Sequence, residues 1–415
     1  MALAAVLLIT LIAFAAVRRG SDSAPPQQTT STETMNDSFG TEVSWVVAML
    51  SGGANTLSET DLAPHAGPDL LAALPAPVLI GTIQQLSALG PFINQGFTRP
   101  PTGQQAVALL KSASGVSFVL PITLEVASPH RITALTVDPV PVPPGVELRP
   151  FSDGAEPGRF DGMVAVGGRN VYLSCTGTGS PTVVLESGLG DSAAPWFGVQ
   201  SAVAGFTRVC SYDRSNTLAS ASDPATPPRT GAEDADDLAV VLRAAGIPGP
   251  YVMVGHSIGS HIVRLFTTKQ PSSVVGMVLV DPSHEEQDVR RQSLVGPGLF
   301  AALQAVLSAN PEGFDLTATA TQVRTARAAG PLPRMPLIVV SAGVPDDADQ
   351  FPPGWPLAAE ATLHSELQAD LALLAPGGKQ IIAQQSKHYV HQYQPELVVG
   401  AIRDVVAAAR LSAAR

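Results

Sequence analysis

Short apolar runs rich in valine alternate with helical patterns from about Arg159 to the end of the chain. Nearly continuous apolar strands separated by helices are typical of a parallel sheet covered by helices on both faces. The pattern therefore predicts an α/β unit over residues 159–415, with functional residues just after the strands. The predicted strands are 182–186, 206–212, 251–255, 274–281, 336–342 and 379–384.

A smaller α+β accessory unit is predicted over residues 41–137. Helical periodicity occurs at 43–50 and 69–88, and alternating strand-like runs follow at 115–126 and 131–137. Polar residues in this unit, such as His65, occur singly. We therefore assign it no chemistry.

Three segments separate or precede these units. Residues 2–17 are apolar and lead into Arg18 and Arg19, which predicts an N-terminal hydrophobic helix over 1–20 that is either a signal peptide or a membrane anchor. Either alternative places the chain outside the cytoplasm, at the cell envelope. The Ser/Thr/Pro/Gln-rich residues 21–40 indicate a flexible linker, and 138–158 form a proline-rich linker.

Composition narrows the function. The chain has 415 residues, a formal net charge of -11 and a pI near 5.1, so a nucleic-acid partner is not expected. Its two cysteines, Cys175 and Cys210, lack metal-ligand spacing. We expect neither a metal nor a cofactor.

The strongest chemical signal is Gly255-His256-Ser257-Ile258-Gly259, a G-x-S-x-G motif between a predicted strand and a predicted helix. The sharp turn exposes the serine, and the glycines allow neighbouring backbone to approach closely. We therefore predict that Ser257 is a catalytic nucleophile.

A serine hydroxyl needs a base and an acid that orients the base. His388 follows the last predicted strand and is the expected base, with His391 as a rival. For the acid, Asp346 after strand 336–342 is preferred, and Asp281 at the end of strand 274–281 is the alternative.

Transition-state stabilisation needs backbone donors aimed at the developing oxyanion. One is expected to be the amide of Ile258, which follows the nucleophile. The other is expected to be Leu189 in the glycine-containing loop SGLGD, which follows strand 182–186.

The chain resembles bacterial α/β-hydrolases of the esterase and lipase-like group in five sequence blocks, which occur in the expected order. The blocks are VVLESGLGDS, RVCSYDRS, GPYVMVGHSIGS, MVLVDPSHEEQ and SKHYVHQYQPELV. The resemblance implies an α/β-hydrolase fold and places Cys175 and Cys210 on neighbouring strands, where a disulfide could form. Scattered apolar positions in residues 41–137 resemble an NTF2-like accessory domain.

The long segment 282–334 separates two predicted strands and is expected to form a helical cap. Its apolar residues, including Leu299, Phe300, Leu303 and Phe314, predict a pocket for an apolar or acyl-bearing substrate. The expected function is a serine hydrolase that cleaves an ester or related acyl bond of a small molecule, including a lipid-like one. A cell-envelope acyltransferase and a catalytically silent envelope binding protein are the alternatives.

Overall fold

A computed structural model describes residues 32–101, 103–140, 142, 146, 148, 158–217, 220–310 and 312–413. The predicted N-terminal hydrophobic helix lies outside these residues. The described chain divides into two compact units, the first ending at Val140 and the second containing the residues from 158 onward. Within the described residues, no helix is both long enough and apolar enough to span a membrane.

In the first unit, helices come before an antiparallel sheet. The strand order is β1-β2-β3-β4, and β5 also pairs with β3. The elements are α1 (Thr32–Leu50), α2 (Glu59–Leu62), α3 (Pro68–Ala73), α4 (Ala76–Ser87), β1 (Phe92–Phe97), β2 (Gln105–Ser112), β3 (Ser117–Leu124), β4 (Ile132–Leu135) and β5 (Asp138–Val140). Strands β1 and β2 were not predicted from the sequence.

Helix α1 begins earlier than the sequence predicted. Residues 32–40 are helical, although they were assigned to a flexible linker. The reason is that Phe39 and Val43, one helical turn apart, are both fully buried in the core of this unit. Their burial holds a polar segment in helical conformation despite its composition.

The second unit is built on an eight-stranded sheet with order β13-β12-β11-β10-β8-β9-β7-β6. The strands from β13 to β9 pair in parallel. Strand β7 runs antiparallel to both of its neighbours, β9 and β6. The strands are β6 (Phe160–Val166), β7 (Arg169–Thr176), β8 (Thr182–Glu186), β9 (Val209–Tyr212), β10 (Tyr251–His256), β11 (Val274–Val280), β12 (Leu337–Ala342) and β13 (Lys379–Ala383).

Helices cover both faces of this sheet and give two separate apolar clusters. This arrangement confirms the predicted α/β class. The helices are α5 (Phe197–Val203), α6 (Gly231–Ala244), α7 (Gly259–Lys269), α8 (Gln287–Ser308), α9 (Leu316–Ala329), α10 (Leu357–Leu371), α11 (Val390–Tyr393) and α12 (Pro395–Ala413).

Cys175 on β7 and Cys210 on β9 face each other in the antiparallel register and form a disulfide. Both side chains are fully buried. The pairing that the resemblance made plausible is present.

The segment predicted as a cap contains α8 and α9. Helix α8 is kinked at Gly296, which has a φ of 76° and directly precedes Pro297. Helix α9 packs against α6 and α7. Helix α9, although it lies in the predicted cap segment, therefore packs as one of the helices that cover the sheet.

Candidate active site

Ser257 lies on the sharp turn between β10 and α7. Its φ is 50°, a left-handed conformation that is costly for a residue with a side chain. A Cβ on Gly255 would come within 2.8 Å of the backbone of Gly259, and one on Gly259 would come within 2.5 Å of the carbonyl oxygen of Ser187. The glycines thus permit a turn that presents Ser257 to a pocket.

His388 and Asp281 meet beside this pocket. The Asp281 carboxylate, which follows β11 directly, accepts a hydrogen bond of 2.7 Å from Nδ1 of His388. The carboxylate that contacts His388 is therefore Asp281 and not Asp346, the residue preferred from the sequence. Asp346 lines the same pocket but makes no hydrogen bond to His388. It lies four residues beyond the end of β12, whereas Asp281 is fixed at the end of its strand.

Asp281 has two further hydrogen-bond donors. Its Oδ1 accepts from the amide of Ala342 at 2.8 Å and is 3.0 Å from Nε2 of His364, a residue of α10. Burial alone would raise the pKa of Asp281, but hydrogen bonds from His364 and His388 hold it well below its usual range. The carboxylate is therefore ionised at neutral pH.

The pKa of His388 reflects the same contact. Burial opposes its protonated form, yet the hydrogen bond to Asp281 and the negative charge of that carboxylate raise the pKa above its ordinary value. Because Nδ1 is held by Asp281, Nε2 is the ring nitrogen left for a proton from the serine.

The residue before the nucleophile also supports the site. Nε2 of His256 lies 3.1 Å from the backbone oxygen of His388. Burial, together with the nearby His391, holds the pKa of His256 well below its ordinary value, so the ring is neutral and donates this bond. A Cβ on Gly188 would lie 2.8 Å from Nδ1 of the same ring. His256 therefore fixes the loop that carries His388.

His391, the rival base, is buried and stacked on Trp196 with 4.3 Å between ring centroids. Burial lowers its pKa to about 3. It packs beneath the site and does not line the pocket.

Ile258 and Leu189 both line the pocket with Ser257. Ile258 directly precedes α7, so its amide lies at the N-terminal end of an 11-residue helix. Leu189 lies in the loop after β8, which a buried charged cluster holds in place. The guanidinium of Arg214 donates to the carbonyl oxygens of Ser187 and Gly188 at 2.8 and 2.6 Å.

The other anchor of this loop comes from the connection between α8 and α9. The carboxylate of Glu312 accepts from the amide of Gly190 at 2.9 Å and from Nε of Arg214 at 2.7 Å. Arg214 also donates to Glu186 at 2.6 Å. The segment predicted as a cap therefore contacts the loop that carries Leu189.

The pocket has a volume of about 440 Å³. Of the apolar residues expected to line it, only Leu303 does so, and Phe314 is packed in the main core. Helix α10, which was not part of the predicted cap, contributes a wall. The lining of the pocket is mixed. Polar side chains come from α8 and α10: Gln287, Asp288, Arg291, Glu360, His364, Ser365 and Gln368. Apolar side chains come from several elements: Leu189, Ile258, Leu303, Leu307, Leu316, Val344, Phe351, Leu357 and Ile382.

Several functional contacts were missed in the sequence. The partners lie far apart along the chain. His364 is 83 residues from Asp281, Arg214 is 28 residues from Glu186, and Glu312 is 98 residues from Arg214. The arginine of the SYDRS block was visible, but nothing local indicated its partners. Within the described residues, no group of three or more His, Cys, Asp or Glu side chains is arranged to hold a metal ion.

Comparison with known proteins agrees with this architecture. Residues 181–335 match the family model described as alpha/beta hydrolase fold, and residues 35–128 match the model of the ORF 12 gene product N-terminal region. The uncharacterized protein YqjL of Bacillus subtilis is 27% identical over 238 residues, which cover 57% of this chain and 88% of YqjL. An AB hydrolase superfamily protein of Gibberella zeae is 28% identical over 131 residues, 31% of this chain and 40% of that protein.

Other curated relatives are 32–34% identical over 124–132 residues, and the chain spans only 19–47% of their length. Among solved structures, a thermophilic esterase from Thermogutta terrifontis has a TM-score of 0.44 at 22% identity, covering 60% of this chain and 98% of that chain. The family match and the sheet order support a hydrolase, and the second unit has the α/β-hydrolase fold.

Proposed function

We propose that the protein is a serine hydrolase that cleaves an ester or related acyl bond through an acyl-enzyme on Ser257. The observation that carries the proposal is the geometry around the pocket. Ser257 stands there on a strained strand-to-helix turn, and His388, hydrogen-bonded to the buried Asp281, lines the same space.

In the proposed reaction, the hydroxyl of Ser257 gives its proton to Nε2 of His388 as its oxygen attacks the substrate carbonyl. The amides of Ile258 and Leu189 donate to the resulting oxyanion. Collapse of the intermediate breaks the acyl bond, and His388 returns the proton to the leaving group. Water then attacks the acyl-enzyme by the same steps, and Asp281 stabilises the imidazolium in both halves.

The substrate class follows from the pocket walls. Polar side chains of α8 and α10 face one part of the space, and apolar side chains such as Leu189, Leu307 and Phe351 line the rest of it. We therefore propose a small acyl substrate with hydrogen-bonding groups, in preference to a long unsubstituted acyl chain. The same machinery serves acyltransferases, which transfer the acyl group to an alcohol instead of water.

The decisive experiment is covalent labelling with a fluorophosphonate probe, followed by hydrolysis of p-nitrophenyl esters with short and long acyl chains. Wild-type protein should be labelled and should favour short esters. Ser257→Ala should abolish labelling and reduce kcat/KM by about 10⁶-fold. Ser260→Ala, three residues further on, is the matched control and should still be labelled.

Each alternative has its own outcome. Folded wild-type protein that neither reacts with the probe nor hydrolyses any ester would contradict the proposal and favour a binding protein. Transfer of the acyl group to added glycerol faster than to water would identify an acyltransferase. Both readouts use the intact chain.

We also propose that the protein is exported or anchored at the cell envelope by its N-terminal segment, and that its first unit is an NTF2-like domain. The buried disulfide supports export, because disulfides persist in oxidising compartments. Helices followed by an antiparallel sheet, together with the match over residues 35–128, support the second assignment. Fractionation of cells that express the full chain tests the location.

A further inference from the structure

His364 is not one of the three residues through which the proposed reaction proceeds, yet it contacts one of them. Its Nε2 is 3.0 Å from Oδ1 of Asp281, while Oδ2 of the same carboxylate is 2.7 Å from Nδ1 of His388. A single buried carboxylate is thus shared by two histidines. The side chain of His364 is 34% exposed and lines the pocket, so solvent protons can reach it.

We propose that His364 is a positioning residue, which holds the second oxygen of Asp281 and thereby couples the proton affinity of His388 to its own protonation. The inference rests on the proposed serine-hydrolase function. It adds a second titrating group to the site without changing which atoms react.

The shared carboxylate links the pKa values of the two histidines. Asp281 raises the pKa of His364 as it does that of His388, although burial opposes the charged form of both. A proton on either ring places a positive charge on the far side of the shared carboxylate, so each protonation disfavours the other. When His364 is protonated, the pKa of His388 falls and the base stays available at lower pH.

Other charged groups around the two rings act on the coupling. Asp346 raises the pKa of both His364 and His388, and Asp191 raises that of His388. His256 and His391 are neutral because burial lowers their pKa, so they add no charge. On its own helix, His364 lies one turn after Glu360, whose carboxylate is bound to Arg291.

The test is the pH profile of kcat/KM for a short p-nitrophenyl ester, with each variant normalised to its own plateau. His364→Gln keeps a hydrogen-bond donor but cannot be protonated, so the acid limb should move up by roughly half to one pH unit. His364→Lys keeps a permanent positive charge and should move the limb down. A residue that only supports the structure would not give shifts of opposite sign.

Glu366→Gln is the matched control, because it removes a charge from the same helix on an exposed side chain. Its acid limb should stay within about 0.2 pH unit, since solvent screens exposed charges. Should both His364 variants superimpose on wild type, or shift in the same direction, the coupling is overturned.

A second measurement does not depend on any variant folding. In ¹⁵N-histidine-labelled wild-type protein, the resonances of His364 and His388 should each show two titration steps, because each ring senses the protonation of the other. Independent single-step titrations would overturn the inference. Wild-type protein with no labelling and no ester hydrolysis, but with coupled titrations, would contradict only the proposed function.

Discussion

Asp281 and Glu186 lie at the carboxyl ends of β11 and β8, the two strands that flank β10 and its nucleophile. Both carboxylates are buried, but their partners differ. Asp281 is surrounded by two histidines and one backbone amide. Glu186 accepts from Tyr212 at 2.5 Å and from Arg214 at 2.6 Å.

The two carboxylates also differ in proton affinity. Hydrogen bonds from His364 and His388, together with the positive charge that these rings carry when protonated, keep the pKa of Asp281 low despite burial. Burial raises the pKa of Glu186 to about 7, and the negative charge of Asp234 adds to the rise, although Arg214 and Tyr212 act in the opposite direction. Asp281 therefore supplies a charge to a base that changes protonation, whereas the Arg214 cluster is a fixed framework that shapes the loop of Leu189.

The largest expected effect comes from replacing the charge beside the base. Asp281→Asn should lower kcat/KM by about 10⁴-fold, because the amide favours the wrong tautomer of His388. Asp346→Asn is the matched control and should lower kcat/KM about threefold or less. Steady-state kinetics on one ester measures both. Equal losses in the two variants would contradict the assignment of Asp281.

The next effect is on stability. Arg214→Met should reduce the free energy of unfolding by about 3–5 kcal/mol at pH 8, because it leaves the buried carboxylates of Glu186 and Glu312 without a cation. Burial raises the pKa of Glu186 to about 7 and that of Asp234 to about 6, above their unfolded values. These groups bind protons more tightly when folded, so their stabilising contribution is present at low pH and is lost as the pH rises through 6 to 7.

The loss in Arg214→Met should therefore be smaller at pH 5 than at pH 8. Urea unfolding at both pH values measures the difference. Arg403→Met is the control: this exposed residue of α12 contacts only the ring of Phe206 among the aromatic and charged residues that the structure describes, and its loss should cost about 1 kcal/mol or less. A loss that does not depend on pH would show that the carboxyls of the cluster do not titrate in this range.

The smallest expected effect is on kcat and comes from Glu312, which holds the loop that carries Leu189. In Glu312→Gln, the NH₂ group of the side-chain amide faces another donor in both of its orientations. In one orientation this donor is Arg214, and in the other it is the backbone amide of Gly190. We expect kcat to fall roughly tenfold with little change in KM, less than the loss of a whole oxyanion donor. Glu286→Gln, which breaks a half-exposed ion pair with Arg324, should change kcat less than twofold. An increase in KM alone would place Glu312 in substrate binding instead.

Local signals predicted six of the eight strands of the second unit, β8 to β13, and the turn at Ser257, because apolar periodicity and glycine spacing are properties of short segments. Strands β6 and β7 were not predicted. The choice between Asp281 and Asp346 could not be made in that way. Both follow neighbouring strands, and only the course of the chain after β11 and β12 decides which carboxylate meets His388.

The burial of apolar side chains was not predictable from composition in two places. Residues 32–40 have the composition of a linker, yet Phe39 anchors them in a helix. Four apolar residues of the segment 282–334 were expected to line the pocket, yet of these only Leu303 does so, and Phe314 packs in the core. Composition records how much apolar surface a segment has, and tertiary contacts decide where that surface goes.

The disulfide between β7 and β9 has a practical consequence for making the protein. Both cysteine side chains lie in the apolar core on one face of the sheet, where a dissolved reductant or thiol reagent meets them only if that core opens. Its oxidation state is therefore set while the chain folds and is retained through purification. Protein produced in a reducing host and oxidised afterwards would carry buried free thiols, countable with a thiol reagent after denaturation.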